Sequence, residues 1–384
     1  MRSIEILRTL VAFDTTSRNS NLPLIEWVQA YLAPFGVKST LVFDAEKRKA
    51  NLFATVGDGP GTGMIFSGHT DTVPTDGQPW TTDPYKLTER DGKLYARGSA
   101  DMKGFIACAL AAVPEFLAKP HTAPFYLALS YDEEVGCRGA WSLAQAINAS
   151  GAQVAGCIVG EPSSMQPIVA HKGTHRFRCC VRGQEAHSAL PHLGVNAIHA
   201  ANRLMNFLLN EGDAIAANET PDAEFEYPTS TLSLTMIDGG TGQNIIPRAC
   251  NVQVDVRTVP GTEFAPLLDK VKAYAATLEP AMKAVASGAG IEIDFQSSSP
   301  GFGIGADDPL LRYIEAKAGS TRRIKVGFGT EAGIFTKHNI PSIIIGPGDI
   351  AQAHQADEFV AIEQMAQCDA FLAKVLAEPF TREA

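Results

Sequence analysis

The sequence predicts an α/β protein: a mostly parallel sheet in the main domain, carrying an inserted α+β domain. Three observations point there. Strand-like and helix-like runs alternate from the start. The strand-like runs are short and almost continuously apolar, as strands covered on both faces are. After Lys172-Gly173 the texture changes to strands that alternate apolar and polar residues, as strands with one wet face do.

Element by element, Ile4, Ile6, Leu7, Leu10 and Val11, interrupted by Glu5 and Arg8, form an amphipathic first helix rather than a signal peptide. Residues 51–56 and 64–67 read as strands, with the glycine-rich segment 57–63 as a hairpin-like loop between them. The second strand runs into the turn Gly68-His69-Thr70-Asp71. Residues 102–117 form a buried helix. The strand 125–130 leads straight into Tyr131-Asp132-Glu133-Glu134. The helix 141–149 ends at Ser150-Gly151, and the strand 154–159 delivers Gly160-Glu161-Pro162. Next come strands at 176–181 and 232–237, the alternating Val252, Val254 and Val256, and helices at 196–210 and 263–286. Their β-α-β-β-α-β order defines an inserted domain at about 175–290, with hinges at Lys172–Gly173 and Gly288–Gly290. Parallel-sheet texture resumes with 325–326, the helix 332–338, the strand 342–345 and the helix 362–376. The catalytic domain is then discontinuous, 1–174 plus 291–384.

Composition narrows the function classes. The 384 residues are 45% hydrophobic and 19% charged, enough for a sizeable core and against wholesale disorder. With 32 Lys+Arg against 42 Asp+Glu the net charge is −10, which disfavours nucleic-acid and anionic-membrane binding. The longest apolar run, 105–113, is far short of a membrane span. Seven cysteines without a CxxC read as free thiols in a reducing cytoplasm.

His69, the Glu133-Glu134 pair, Glu161 and, late in the chain, His354 fall after predicted strands, and Asp101 lies in the turn before the 102–117 helix. Strand ends of an open α/β sheet converge on one crevice. Imidazoles and carboxylates without thiolates suit Zn²⁺, Co²⁺ or Mn²⁺, and five such groups with one shared suit two ions. Asp101, short and two-oxygened, is the natural bridge. Asp71 is placed to accept the ring N–H of His69. Each residue alone also has a plain reading: a solvated turn histidine, an exposed Glu-Glu loop, a turn-capping Glu161, a surface His354. Segment 57–63 fits neither GxGxxG nor GxxxxGK[ST], and GxSxG and HExxH do not occur, so nucleotide binding and serine hydrolysis are disfavoured.

These segments carry a family resemblance. Ser67-Gly68-His69-Thr70-Asp71-Thr72-Val73-Pro74 resembles the first motif of the dinuclear zinc aminoacylase and carboxypeptidase G metallohydrolases. Trp80, the run from Asp91 to Gly98, and Asp101-Met102-Lys103-Gly104 resemble the second. Asp132-Glu133-Glu134-Val135-Gly136, Gly160-Glu161-Pro162 and Gln184-Glu185-Ala186-His187-Ser188 resemble later ones. Within the group, Gly329-Thr330-Glu331-Ala332 and Gln352-Ala353-His354-Gln355-Ala356-Asp357-Glu358 look most like the acetylornithine deacetylase branch. The succinyl-diaminopimelate desuccinylases usually show Thr-Ser-Asp-Gly-Arg where this chain has Thr330-Glu331-Ala332. Acetylcitrulline deacetylase, aminoacylase and peptidase activities stay open within the group. The resemblance implies one ion on His69, Asp101 and Glu161 and a second on Asp101, Glu134 and His354, zinc first and cobalt second. It implies Glu133 as general base, Asp71 as the carboxylate behind His69, and His187 as the oxyanion partner. It also implies a homodimer through an inserted lid domain and a small N-acyl amino acid as substrate. For that substrate, Arg257 is the candidate α-carboxylate clamp, with Asn244 beside it and Glu331 for a cationic side chain. Their plain readings are a surface salt bridge, a turn residue and an acid at a helix N-terminus.

Overall fold

Continuously apolar runs become strands without a wet face. A computed structural model describes residues 1–381. In chain order its first part contains α1 (Arg2–Val11), α2 (Leu22–Leu32), β1 (Ser39–Phe43), β2 (Ala50–Val56), β3 (Gly63–His69), β4 (Thr88–Arg90), β5 (Lys93–Tyr95), α3 (Lys103–Leu117), β6 (Phe125–Ser130), α4 (Arg138–Ala149), β7 (Val154–Val159) and β8 (Ile168–His171). A second part holds β9 (Gly173–Arg182), α5 (Ala197–Asn218), β10 (Thr231–Gly239), β11 (Ala249–Thr258), α6 (Ala265–Val285) and β12 (Gly290–Ser299). The last part adds β13 (Phe302–Gly303), α7 (Pro309–Ala318), β14 (Ile324–Val326), α8 (Ala332–Lys337), β15 (Ser342–Ile344), β16 (Phe359–Ala361) and α9 (Ile362–Ala377).

The first compact unit comprises Met1–Ala170, Phe302–Lys325 and the chain from Thr330 onward. Its main sheet runs β1-β2-β6-β3-β7-β15-β8-β13, with β14 also on β8. The centre is parallel: β3 with β6 and with β7, and β7 with β15. Pairs β1–β2, β2–β6 and β15–β8 are antiparallel. Every residue of β3 and β6 is buried, which explains their interior places. Helix α3, buried almost all round, packs against β3 and against α1 and α9. The register aligns His69 of β3 with Ser130 of β6, and Ser67 of β3 with Val159 of β7. Strands β3 and β6 therefore end at one level and β7 two residues earlier, and the turns beyond them emerge side by side.

The segment 57–63 is not a hairpin loop. Strand β6 lies between β2 and β3, so these glycines form a crossover. They run hard against the segment before β6: a Cβ on Gly59 would meet the Thr122 carbonyl oxygen at 2.6 Å, and one on Gly63 that of Pro124 at 2.4 Å. A small antiparallel sheet, β16-β5-β4, also forms from runs of three residues, too short to stand out as strands in the sequence.

The second unit spans His171–Gly301 and Val326–Gly329. Its sheet, β10-β11-β9-β12, is antiparallel throughout. Phe177, Cys179 and Val181 of β9 and Val252, Val254 and Val256 of β11 face a core shared with α5 and α6. Asn196 caps α5 by accepting the His199 N–H at 3.1 Å. Residues Gly288–Gly290 lead into β12 inside this unit, so they are no hinge. The chain enters and leaves near Gly173 and Gly301, where a Cβ on Gly173 would come 2.9 Å from the Gly301 nitrogen. Among the described residues no helix is long and apolar enough to cross a membrane.

Close packing at the strand ends yields a first test. A Cβ on Gly160, just after β7, would lie 1.9 Å from Cγ of Phe105. Gly160→Ala is expected to destabilise the protein by at least about 1–3 kcal/mol in urea denaturation, the usual cost of overpacking. Phe105→Leu in the same chain should recover part of the loss. Unchanged stability in Gly160→Ala would contradict this packing.

Candidate metal centre

His69 is the last residue of β3 and is wholly buried. Its Nδ1–H donates to the main-chain carbonyl of Asp71 at 2.9 Å, which leaves Nε2 free as a ligand atom. The Asp71 carboxylate stands 3.6 Å from Nδ1, beyond hydrogen-bond distance. It accepts instead from Ser17 Oγ at 2.7 Å and from the main-chain N–H groups of Glu133 and Glu134 at 3.0 and 3.3 Å. The carbonyl of Asp71 thus sets the ring, while its carboxylate holds the turn after β6 in place.

Asp101 sits between the two histidines. Its Oδ1 is 2.9 Å from His69 Nε2, and its Oδ2 is 3.2 Å from His354 Nε2. His354 Nε2 is also 3.0 Å from Glu134 Oε2. Two ligand groups result, His69–Asp101–Glu161 and Asp101–Glu134–His354, each with its ligand atoms within 4.8 Å of one another. Either can hold a cation, and they share Asp101. His354 does not directly follow a strand. It lies beyond a short helical turn, Ile350–Gln352, in a left-handed conformation at φ 61°.

Electrostatics says what is wanted there. Burial pushes the Glu133 and Glu161 carboxyls well above the usual range, reinforced by neighbouring acids. Burial and the nearby Asp101 raise Glu134 to about 7. Hydrogen bonds to Asp101 and Glu134 lift His354 to about 10. Burial opposes charging of His69, but Asp101 and Asp71 outweigh it and hold the ring well above its ordinary value. Acids that keep protons and imidazoles that gain them mark a buried site short of positive charge. Glu161 Oε1 is buried without any hydrogen-bond partner. An all-oxygen-and-nitrogen donor set with an orphaned carboxylate oxygen fits divalent ions, whose binding would displace those protons and weaken as pH falls.

Three of the candidate residues belong to the second unit. His187 and Asn244 lie on neighbouring segments: His187 forms a β-bridge with Ile245, and the Ser188 N–H donates to the Asn244 carbonyl at 2.9 Å. Nδ1 of His187 accepts the Ala189 N–H at 3.1 Å, which leaves the ring proton on Nε2 when the imidazole is neutral. The guanidinium of Arg257 is already engaged, by Asp255 Oδ1 at 2.7 Å and Thr174 Oγ1 at 2.8 Å. Asp255 takes the Nε edge of the guanidinium, and N–H groups remain on its Nη1/Nη2 end. Glu331, in the first unit, is 0% exposed; its carboxylate oxygens make no well-formed hydrogen bond, although the Ser130 and Ser67 hydroxyls lie close enough to favour its charged form. It stands at the N-cap position of α8 but makes no side-chain cap hydrogen bond, so it has the place of a helix-terminal acid without satisfying the helix N–H groups.

Three residues near the ligands escaped assignment from sequence: Gln78, Arg97 and Glu358. Arg97 and Glu358 form an ion pair at 2.6 Å with both side chains 1% exposed. A charged residue within each of two recognisable motifs was the available signal, but nothing local linked one to the other.

Glu331 offers a pH test on metal-stripped protein. Burial raises its carboxyl from 4.5 to about 7, opposed in part by Ser130. The folded state then holds a proton that the unfolded state releases, so this group costs stability as pH rises from 4.5 to 7. Glu331→Gln removes that cost, and its stability relative to the parent should grow by about 3 kcal/mol across the interval. Urea midpoints that move in parallel for both proteins would contradict it.

Comparison with known proteins agrees with this architecture. Residues 65–378 match the model for peptidase family M20/M25/M40. The chain is 38% identical over 380 residues to the acetylornithine deacetylase of Myxococcus xanthus, covering 97% of this chain and 96% of that one. It is 36% identical over 366 residues to the acetylornithine deacetylase of Proteus mirabilis, covering 93% and 91%. Among solved structures, an M20 family metallo-carboxypeptidase from Sulfolobus solfataricus shares the fold with a TM-score of 0.76 at 15% identity, over 98% of each chain. A family match across most of the sequence, with relatives this similar over nearly their whole length, establishes that the chain belongs to peptidase family M20/M25/M40.

Proposed function

We propose that this chain is a metal-dependent amide hydrolase that removes the acetyl group from N2-acetyl-L-ornithine, giving L-ornithine and acetate for arginine biosynthesis. The observation that carries the chemistry is the pair of ligand groups sharing Asp101, with Glu133 next in sequence to the ligand candidate Glu134. The names of the Myxococcus and Proteus relatives support the substrate.

His69, Asp101 and Glu161 would hold one ion, and Asp101, Glu134 and His354 the other, with Zn²⁺ first and Co²⁺ second by donor type. Such ions supply a water acidified towards neutral pH and a Lewis acid for the scissile carbonyl. Glu133 takes the proton of the attacking water on its carboxylate and passes it to the leaving amine. Burial raises its pKa above the usual carboxyl range, which favours holding the proton between those two steps. His187, with Nε2–H as donor, steadies the oxyanion from the inserted domain. Arg257, through the N–H groups that Asp255 and Thr174 leave open, and Asn244 grip the α-carboxylate. Glu331 answers the side-chain ammonium: a desolvated cation would supply the well-formed hydrogen bond its two oxygens lack. Because Glu331 is shut from solvent, this role requires its surroundings to open.

The inserted domain would act as lid and dimerisation surface. Met236 and Ile237, 72% and 59% exposed on the edge strand β10, support a homodimer there. All seven cysteines are free, which supports a reducing, cytoplasmic setting.

Two experiments test the reading. Glu133→Ala should keep near-parental metal content by elemental analysis and lower kcat about 10²–10⁴-fold, the usual worth of a general acid–base; unimpaired turnover would remove its role. The metal-loaded protein should then be assayed on acetylornithine, acetylcitrulline, acetylmethionine, succinyl-diaminopimelate and a dipeptide. Acetylornithine should give the highest kcat/KM, and Glu331→Gln should reduce it more than that for acetylmethionine. Preference for another substrate would replace the assignment, and equal losses would remove Glu331 from recognition.

A further inference from the structure

Both ends of one hydrogen-bonded chain of side chains lie on the main chain of a candidate ligand. Glu358 Oε1 accepts the main-chain N–H groups of Ala100 and Asp101 at 2.9 and 3.1 Å. Its Oε2 accepts from Arg97 Nη1 at 2.6 Å. Arg97 Nη2 donates to Gln78 Oε1 at 2.6 Å, and Gln78 Nε2 donates to the carbonyl of His354 at 2.9 Å. Trp80 braces the middle: its indole N–H donates to Gln78 Oε1 at 3.0 Å, and its ring lies 5.1 Å from the Arg97 guanidinium. Two donors on Oε1 leave Gln78 only one sensible orientation, with its NH₂ towards His354. The loop bearing His354 is tied a second time, where Thr81 donates from N and Oγ1 to Asp357 at 2.9 and 2.8 Å.

We propose that Gln78, Arg97 and Glu358 are positioning residues that set the distance between Asp101 and His354, and that Gln78, at the His354 end of the chain, tunes the second ion site separately from the first. The proposal rests on the two-ion reading above. The physical reason lies in how the two groups are built. Asp101 serves both sites, but His354 serves only the second. His354 is also the most exposed of the ligand candidates, at 52% of its side chain, and sits in a left-handed backbone. Its backbone would otherwise be the least constrained of the set. The Gln78 amide supplies a link from it to the buried ion pair, and through that pair to the backbone of Asp101.

The links can be cut one at a time. Gln78→Glu still accepts from Arg97 and Trp80 but has no N–H to offer the His354 carbonyl, and Gln78 lies in a partly exposed loop where the change is tolerable. Glu358→Gln acts on Asp101, which both sites share. Binding is read by calorimetric titration of metal-stripped full-length protein with Zn²⁺ alone, and His354→Ala identifies the transition belonging to the second site. The expected result for Gln78→Glu is a second transition weakened about 10–100-fold, the usual effect of losing a hydrogen bond behind a ligand, with the first unchanged. Glu358→Gln should weaken both. Parental affinity at both sites in Gln78→Glu, or equal weakening of the two, would overturn the proposal while leaving the two-ion reading intact. Fewer than two Zn²⁺ bound by the parent protein would overturn both together. If Glu358→Gln fails to fold, the Gln78→Glu titration alone decides.

Discussion

Glu133 and Glu134 after β6, Glu161 after β7 and Asp101 before α3 bring four carboxyl groups together where burial denies them water. That concentration is the constraint on which the surrounding structure depends. A carboxylate withdrawn from water must be paired, protonated or bound to a cation. Protein cations close to the cluster are two histidines, both pulled towards the charged form. Two divalent ions would bring +4 and release those protons. The net charge of −10 is therefore partly a local property of one crevice.

The sheet makes the concentration possible. Parallel β3, β6 and β7 are neighbours whose ends lie within two residues of one another, so residues far apart in sequence converge without long loops. What the strands cannot do is orient the turns, and hydrogen bonds to main chain take over that task. Asp71 holds the N–H groups of Glu133 and Glu134, and Glu358 those of Ala100 and Asp101. The Arg97–Glu358 pair is a poor device for stability alone, because desolvating two charges offsets their attraction. Breaking such a pair from one side nonetheless costs about 3–5 kcal/mol. Its presence makes sense as a fixed reference for the backbone around Asp101.

Much of this was legible in the sequence, for local reasons. Apolar runs such as 125–130 and 154–159 mark buried strands, and the residues after them are where an α/β sheet places its chemistry. The motifs around His69, Asp101, Glu134, Glu161 and His354 named the groups that the fold gathers. What stayed hidden depends on pairing at a distance. The 57–63 segment looked like a hairpin because neighbours in sequence usually pair, and only the placement of β6 shows otherwise. Asp71 was expected to use its carboxylate on His69, yet its carbonyl does so, a choice that no side-chain pattern encodes. Gln78 reaches His354 across 276 positions through a main-chain oxygen, which leaves no signal at either residue.

The discontinuity of the first unit sets an order of assembly during synthesis. His69, Asp101, Glu134 and Glu161 all precede the inserted unit, as do the strands β3, β6 and β7 that carry three of their turns. His354, Glu358 and strand β15, which completes the sheet beside β7, emerge only after the whole insertion has been made. A ribosome-bound chain can thus present every ligand of the first ion site long before the second has its histidine. The insertion separates in time the synthesis of the two candidate ligand groups.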